Sequence, residues 1–157
     1  MIKEVKTQAT VGVGVDSLWK VVSRDLHLLL PKVIPHLIKE AHLVEGDGGL
    51  GTIFLFNFGP EVKAMRYQKE RLSELDESTR RMSLEVVEGG HLDLGFSYYK
   101  TTFQLAPLEE HQTQIEITVG YETRSIEVDE AALAENTKSS MLAYIKCMEN
   151  YIVNQAN

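Results

Sequence analysis

Residues 45–52 read Glu45-Gly46-Asp47-Gly48-Gly49-Leu50-Gly51-Thr52. What flanks this glycine cluster decides the fold. Upstream, Ile38 to Val44 is strand-like. Downstream, Thr52-Ile53-Phe54-Leu55-Phe56-Asn57-Phe58 is dense in β-branched and aromatic residues, which favour a pleated, half-buried surface. A phosphate-binding loop would end in Gly-Lys-Ser/Thr or open a helix, and this one does neither. The cluster therefore predicts a tight hairpin loop in preference to an anion nest.

Working outward, the same grammar repeats. Residues 2–14 alternate, with Val5, Thr7, Ala9, Val11 and Val13 on one parity. Further strand-like runs cover 63–75, 80–88, 92–105 and 113–123. Turn signals separate them at Gly59-Pro60, Asp76-Glu77-Ser78, Gly89-Gly90 and Pro107 to Glu110. Such short spacing requires antiparallel hairpins. Between the first two strands, Asp16 or Ser17 reads as the N-cap of a short helix carrying Leu18, Trp19, Val21 and Val22. A second short helix falls around 25–34, bracketed by Pro31 and Pro35. From Glu130 onward the period changes. Leu133, Met141, Tyr144, Met148 and Tyr151 recur at helical offsets, with no Gly or Pro from 130 to 157. The acidic run Glu127 to Glu135 reads as the solvated start of this helix. One strand, two short helices, about six strands and a long helix make an α+β layout.

The chain has 157 residues, enough for one domain with a real core and no need of disulfides. Sixteen Lys and Arg against 23 Asp and Glu give a net charge of −7, which disfavours nucleic acid as partner. Cys147 stands alone, excluding an internal disulfide framework and any multi-cysteine zinc site. No apolar run reaches membrane-spanning length and no secretory h-region opens the chain, so the expectation is a cytoplasmic protein without membrane contact. His27, His36, His42, His91 and His111 form no compact metal-binding spacing. Gly95-Phe96-Ser97-Tyr98-Tyr99 lacks the second glycine of a nucleophile elbow. No metal, cofactor or catalytic residue is expected.

The glycine cluster, together with Glu88-Gly89-Gly90 and Tyr98-Tyr99-Lys100-Thr101-Thr102-Phe103, resembles the plant pathogenesis-related class-ten family, which includes the major birch pollen allergen. The resemblance implies a helix-grip fold over residues 1–157. In that fold a seven-stranded curved antiparallel sheet wraps a long C-terminal helix, two short helices sit at one end, and a large cavity lies between sheet and helix. Pro31 to His36, Phe56-Asn57-Phe58, Tyr67-Gln68 and Ser97 to Phe103 look most like the cytokinin-specific and phytohormone-binding branch. In that branch a Gln, a Glu two residues on and a helical Tyr hold the hormone. The matching positions are Gln68, Glu70 and Tyr144, with Met141 where a Thr is usual. Glu88 to Phe96 also resembles the norcoclaurine and norbelladine synthases. Their Glu is matched by Glu70, but their Tyr, Lys and Asp positions hold Gln68, Met82 and Thr101. Methionine cannot shuttle a proton, which counts against condensation chemistry.

Strand parity then sorts the wall of such a cavity. Gln68, Glu70 and Leu72 share one face, as do Met82, Leu84 and Val86. So do Ser97, Tyr99, Thr101 and Phe103; Ile115, Ile117 and Val119; and Phe54, Phe56 and Phe58. The candidate ligand-binding set is Gln68, Glu70, Tyr144, Met141, Tyr99, Thr101, Met82 and Phe103. It is an apolar lining with few polar groups, as small-molecule sites have. Residue types alone leave plainer readings open. Glu70 could be a solvated strand residue, and Tyr144, Met141 and Met148 could be core. Only one of Tyr98 and Tyr99 can face inward, and Trp19 reads as a hydrophobic anchor.

A carboxyl inside such a cavity must stay protonated or meet a donor. An adenine-type hormone supplies N–H donors to Glu70, while Gln68 both donates and accepts. A gibberellin carboxylate would have to share a proton with Glu70. About 15–25 ligand atoms at roughly −0.3 kcal/mol each total about −4.5 to −7.5 kcal/mol, which approaches micromolar affinity at its upper end. The expected function is binding of a cytokinin, gibberellin or similar apolar small molecule by a monomer or weak dimer. The alternative is an enzyme of specialised metabolism with Glu70 as base.

Overall fold

Antiparallel pairing runs through the whole sheet, as the close spacing of the strand-like runs requires. A computed structural model describes residues 1–124 and 128–155. β1 (Lys3–Val11) leads into α1 (Val15–Ser23) and α2 (Leu26–Val33). Then come β2 (Ile38–Glu45), β3 (Ile53–Phe58), β4 (Tyr67–Asp76) and β5 (Arg81–Gly89). A 3₁₀ turn at Gly90–Leu94 precedes β6 (Phe96–Glu109), β7 (Gln112–Thr123) and α3 (Glu130–Gln155). The seven strands form one sheet in the order β1-β7-β6-β5-β4-β3-β2. β1 and β2 are its two edges, so α1 and α2 carry the chain from one edge to the other. Glu127, the first residue of the expected acidic run, lies outside the described residues.

One end of the interior is packed solid. Leu18 and Trp19 of α1 meet Met82, Ile115, Ile117 and Met148, all at most 1% exposed. The turn between β4 and β5 clamps this end from outside. Glu77 Oε2 accepts the Trp19 indole N–H at 2.5 Å, and the Arg80 guanidinium lies over the indole, 6.0 Å from its centre. Trp19 is thus the expected anchor, with its one polar atom paired. The other end is not filled, and the cavity described below occupies it.

Several boundaries differ from the sequence reading. Gly14 is the N-cap of α1 and gives no side-chain cap. Asp16 instead pairs with Arg80 of the β4–β5 turn. Pro31 lies inside α2 instead of bounding it. Its missing N–H costs one intrahelical bond, while the burial of Leu26, Leu30 and Val33 holds the helix down. β4 begins only at Tyr67, and the 3₁₀ turn delays β6 to Phe96. Pro107 stays within β6, with the reversal at Glu110 and His111. The glycine cluster is a loop, as its flanks required. Gly48 N–H donates to Thr52 Oγ1 at 2.9 Å, and Gly46 holds φ +92° against Thr52.

The glycine loop gives a graded prediction. A Cβ on Gly46 would sit 2.6 Å from Thr52 Oγ1 and 2.9 Å from its Cα, whereas one on Gly48 (φ +103°) would meet nothing. Gly48→Ala should cost only the positive-φ strain, about 1–2 kcal/mol, and Gly46→Ala more than that. Urea unfolding of both variants checks the order.

Candidate functional site

Pleat alternation on β4 sends Gln68, Glu70 and Leu72 inward. Leu72 joins the solid core, while Gln68 and Glu70 reach the unfilled end. There they line a chamber of about 200 Å³ with Thr101 and Phe103 of β6 and Met141 and Tyr144 of α3. A second space of about 460 Å³ shares Phe58, His91, Tyr99 and Met141 with the first, and extends towards Val62, Met65, Leu94 and Leu133. His91 and Tyr99 therefore stand where the two chambers meet. A separate groove of about 570 Å³ between α2 and the end of α3 carries Lys32, His36 and Asn150. We assign the site to the inner chambers because the strongly displaced titrating groups, Glu70, His91, Tyr99 and Tyr144, all line them.

Burial pushes the Glu70 carboxyl up to about 7, and the neighbouring Gln68 amide offsets part of that rise. No cation offsets the rest. Burial, reinforced by the charge of Glu70, raises the Tyr99 hydroxyl to about 12 and raises that of Tyr144 as well. Both phenols stay protonated, and Tyr144 is held edge-on to Phe103 with ring centres 6.0 Å apart. Burial lowers His91 to about 4, so its imidazole is neutral. Gln68 Oε1 accepts from the His91 backbone N–H at 3.1 Å and lies 2.8 Å from His91 Nδ1. The His91 ring stacks on Tyr99 at 3.7 Å, with an interplanar angle of 13°.

The candidate residues divide as follows. Gln68, Glu70, Tyr99, Thr101, Phe103, Met141 and Tyr144 converge on the chamber. Met82 does not. It is fully buried in the solid end of the core, opposite Leu75 and Phe103, and Leu84 lines the chamber in its stead. Ser97 is exposed, because a register shift between Phe96 and Tyr98 breaks the alternation. Phe96 takes the inward place and lines the outer chamber. Gln68 is not free to accept as well as donate, since its carbonyl oxygen is occupied by His91. Cys147 lines the α2–α3 groove. No cluster of three potential metal ligands occurs among the described residues, and no helix is long and apolar enough to cross a membrane.

His91 is the residue that sequence reasoning missed. In the sequence it is one of five histidines without metal-binding spacing. The available signal was the Gly89-Gly90 pair before it. Gly90 holds φ +51°, and a Cβ there would fall 2.0 Å from Gln68 Oε1. Only glycine lets the Gln68 amide lie against this backbone.

Comparison with known proteins agrees with this architecture. A family model described as the pathogenesis-related protein Bet v 1 family matches residues 1–155. A norbelladine synthase of Narcissus pseudonarcissus is 36% identical over 113 residues, covering 71% of this chain and 69% of that protein. Pathogenesis-related protein B of Petroselinum crispum is 28% identical and covers 97% of each chain. The X-ray structure of norcoclaurine synthase from Thalictrum flavum in complex with dopamine and hydroxybenzaldehyde superposes with a TM-score of 0.79 at 25% identity. It covers 98% of this chain and 88% of that one.

Glu70 makes stability depend on pH. The unfolded carboxyl loses its proton near 4.5, while the folded chain keeps it up to about 7. Folding is therefore unpenalised at pH 4, weakens as pH rises between those values, and stays weakened above them. At about 1.4 kcal/mol per unit the loss is on the order of 3 kcal/mol. Glu70→Gln should match the wild type at pH 4 and exceed its stability by about 2–3 kcal/mol at pH 8.5 in urea unfolding. A pH-independent difference would contradict the assignment.

Proposed function

We propose that this chain, which belongs to the pathogenesis-related protein Bet v 1 family, binds a small, largely apolar plant hormone in the two joined chambers, and that an adenine-type cytokinin fits better than a gibberellin. The observation that carries this reading is the cation-free Glu70 carboxyl in an apolar chamber. An ionised carboxylate there gains most from N–H donors, each charge-assisted hydrogen bond contributing about 1.5–3 kcal/mol. Gln68 keeps its amide N–H groups for the ligand or for Glu70. The Tyr99, Tyr144 and Thr101 hydroxyls can turn as donors or acceptors. Phe103, Leu84 and Met141 offer apolar surface to an isoprenoid tail. A gibberellin carboxylate would meet Glu70 as a like charge unless the two shared a proton. This reading treats residues 1–157 as one domain acting as a cytoplasmic binder.

Glu70 also supports a second reading. A carboxyl at about 7 is poised for general-base work at neutral pH. The norbelladine synthase likeness and the dopamine and hydroxybenzaldehyde bound by the Thalictrum enzyme point to amine–aldehyde condensation. Against it stands Met82, which occupies the position matched to those enzymes' lysine and faces the core. His91, neutral and stacked, is no substitute ammonium.

Calorimetry with trans-zeatin and gibberellic acid at pH 5 and 7.5 separates these readings. Zeatin should bind in the micromolar range, at least as well at pH 7.5 as at pH 5, and Glu70→Gln should weaken it about tenfold at pH 7.5. Gibberellic acid should bind better at pH 5. Equal zeatin affinity in the wild type and Glu70→Gln would remove Glu70 from recognition. Condensation of dopamine with hydroxybenzaldehyde that disappears in Glu70→Gln would instead establish the enzyme reading.

A further inference from the structure

We propose that His91 is a specificity-determining acceptor: Gln68 locks its ring in the Nδ1–H form, Nε2 offers a bare lone pair to the cavity, and the site therefore selects ligands with one hydrogen-bond donor for Glu70 and a second for His91. This rests on the small-molecule-binding reading above and adds the second recognition point.

The lock follows from one backbone atom. The His91 amide N–H can only donate, and the Gln68 side-chain atom 3.1 Å away must therefore be the carbonyl oxygen, not the amide nitrogen. That same oxygen lies 2.8 Å from His91 Nδ1. Two atoms so close need a proton between them, and a carbonyl has none to give. Nδ1 must carry it. The two donors fill both lone pairs of Oε1. A neutral imidazole has a single ring N–H, and burial keeps this one neutral above about pH 4. Nε2 is consequently unprotonated. It has no hydrogen-bond partner among the described residues, and it is not among the sealed, unpartnered polar atoms of the interior. It is therefore not sealed off, and His91 lines both chambers.

Three further features hold the ring in place. Its face lies on Tyr99 at 3.7 Å, and the edge of Phe96 meets it at 5.7 Å. Gly90, with no Cβ, leaves room for the Gln68 carbonyl. With its oxygen committed to His91, Gln68 turns its amide N–H towards Glu70, consistent with its lowering effect on that carboxyl. Gln68 thus stands between His91 and Glu70 on the chamber wall. The His91 Nε2 and the Glu70 carboxyl both present acceptors, and no cation lies among the chamber's lining residues. A ligand with one donor leaves one acceptor unpaired in an apolar space, which is penalised. A planar N–H heterocycle with donors at two positions satisfies both.

The test uses the full chain labelled with ¹⁵N-histidine. NMR should show the His91 ring protonated on Nδ1 and bare on Nε2 at pH 7. Indole, an apolar ring with one N–H, should move the Nε2 resonance, and 1-methylindole should leave it in place. In His91→Phe, which keeps an aromatic ring on Tyr99, the preference for indole over 1-methylindole should fall about tenfold. Trans-zeatin should weaken by a similar factor. A ring protonated on Nε2, an Nε2 resonance indifferent to indole, or an unchanged indole preference in His91→Phe would overturn the proposal. Failure of wild type to bind zeatin while indole still moves Nε2 would instead sink the cytokinin reading and leave the His91 role standing.

Discussion

Helix α3 is tied at its start to the edge strand β1 and near its end to Gly12, the residue just past that strand, and its position over the sheet depends on these ties. Near its start Glu130 pairs with Lys3, and near its end Glu149 accepts the Gly12 backbone N–H at 2.7 Å. The nine residues of β1 extend about 30 Å, and the nineteen helical steps from Glu130 to Glu149 extend about 28 Å. The match lets the helix lie along the strand without bending. The surface ion pair adds little by itself. Complete burial of Met148 and near-complete burial of Ile145 supply the main anchorage. Held so, the helix cannot sink further onto the sheet where Leu133, Met141 and Tyr144 line the chambers.

That unfilled space changes the physics of every polar group on its wall. A carboxyl on a strand face ordinarily reaches open water or a lysine; Glu70 faces an apolar chamber with no cation among its lining residues, and its proton is held to about 7. The same desolvation that raises Glu70 lowers His91 and raises Tyr99 and Tyr144. All four groups are thereby pushed towards their neutral forms near pH 7. Such a wall suits uncharged or weakly basic ligands, and it is poorly suited to strong anions.

Periodicity carried the architecture well. Alternation in β4, β5 and β7 placed Gln68, Glu70, Leu84 and Val119 on the correct face, because pleating leaves no choice once one residue of a strand is oriented. The helical stripe of α3 was legible too, though Ile145 was passed over in it. Errors cluster where alternation breaks. Parity puts Ser97 inward, because the register shift beside it has no signature in the residue types. Parity also puts Met82 in the cavity, because it distinguishes inside from outside but not the packed end of the inside from the empty one. Asp16 reads as a cap, because its partner Arg80 lies 64 residues away.

The amino-acid sequence alone therefore determined the order of elements, the hairpin loop at residues 46–51, the family likeness, which residues share a strand face with Glu70 and with Tyr99, and the helical stripe that carries Tyr144. These depend on local periodicity and short-range turn chemistry, which a linear chain displays directly. Only the tertiary structure decided where the interior stays empty, that Glu70 stands there without a cation, and that His91 joins Gln68 across 23 positions of sequence. Those facts depend on long-range packing: which side chains fill one end of the sheet, and where a helix tied down at both ends leaves the other end unfilled.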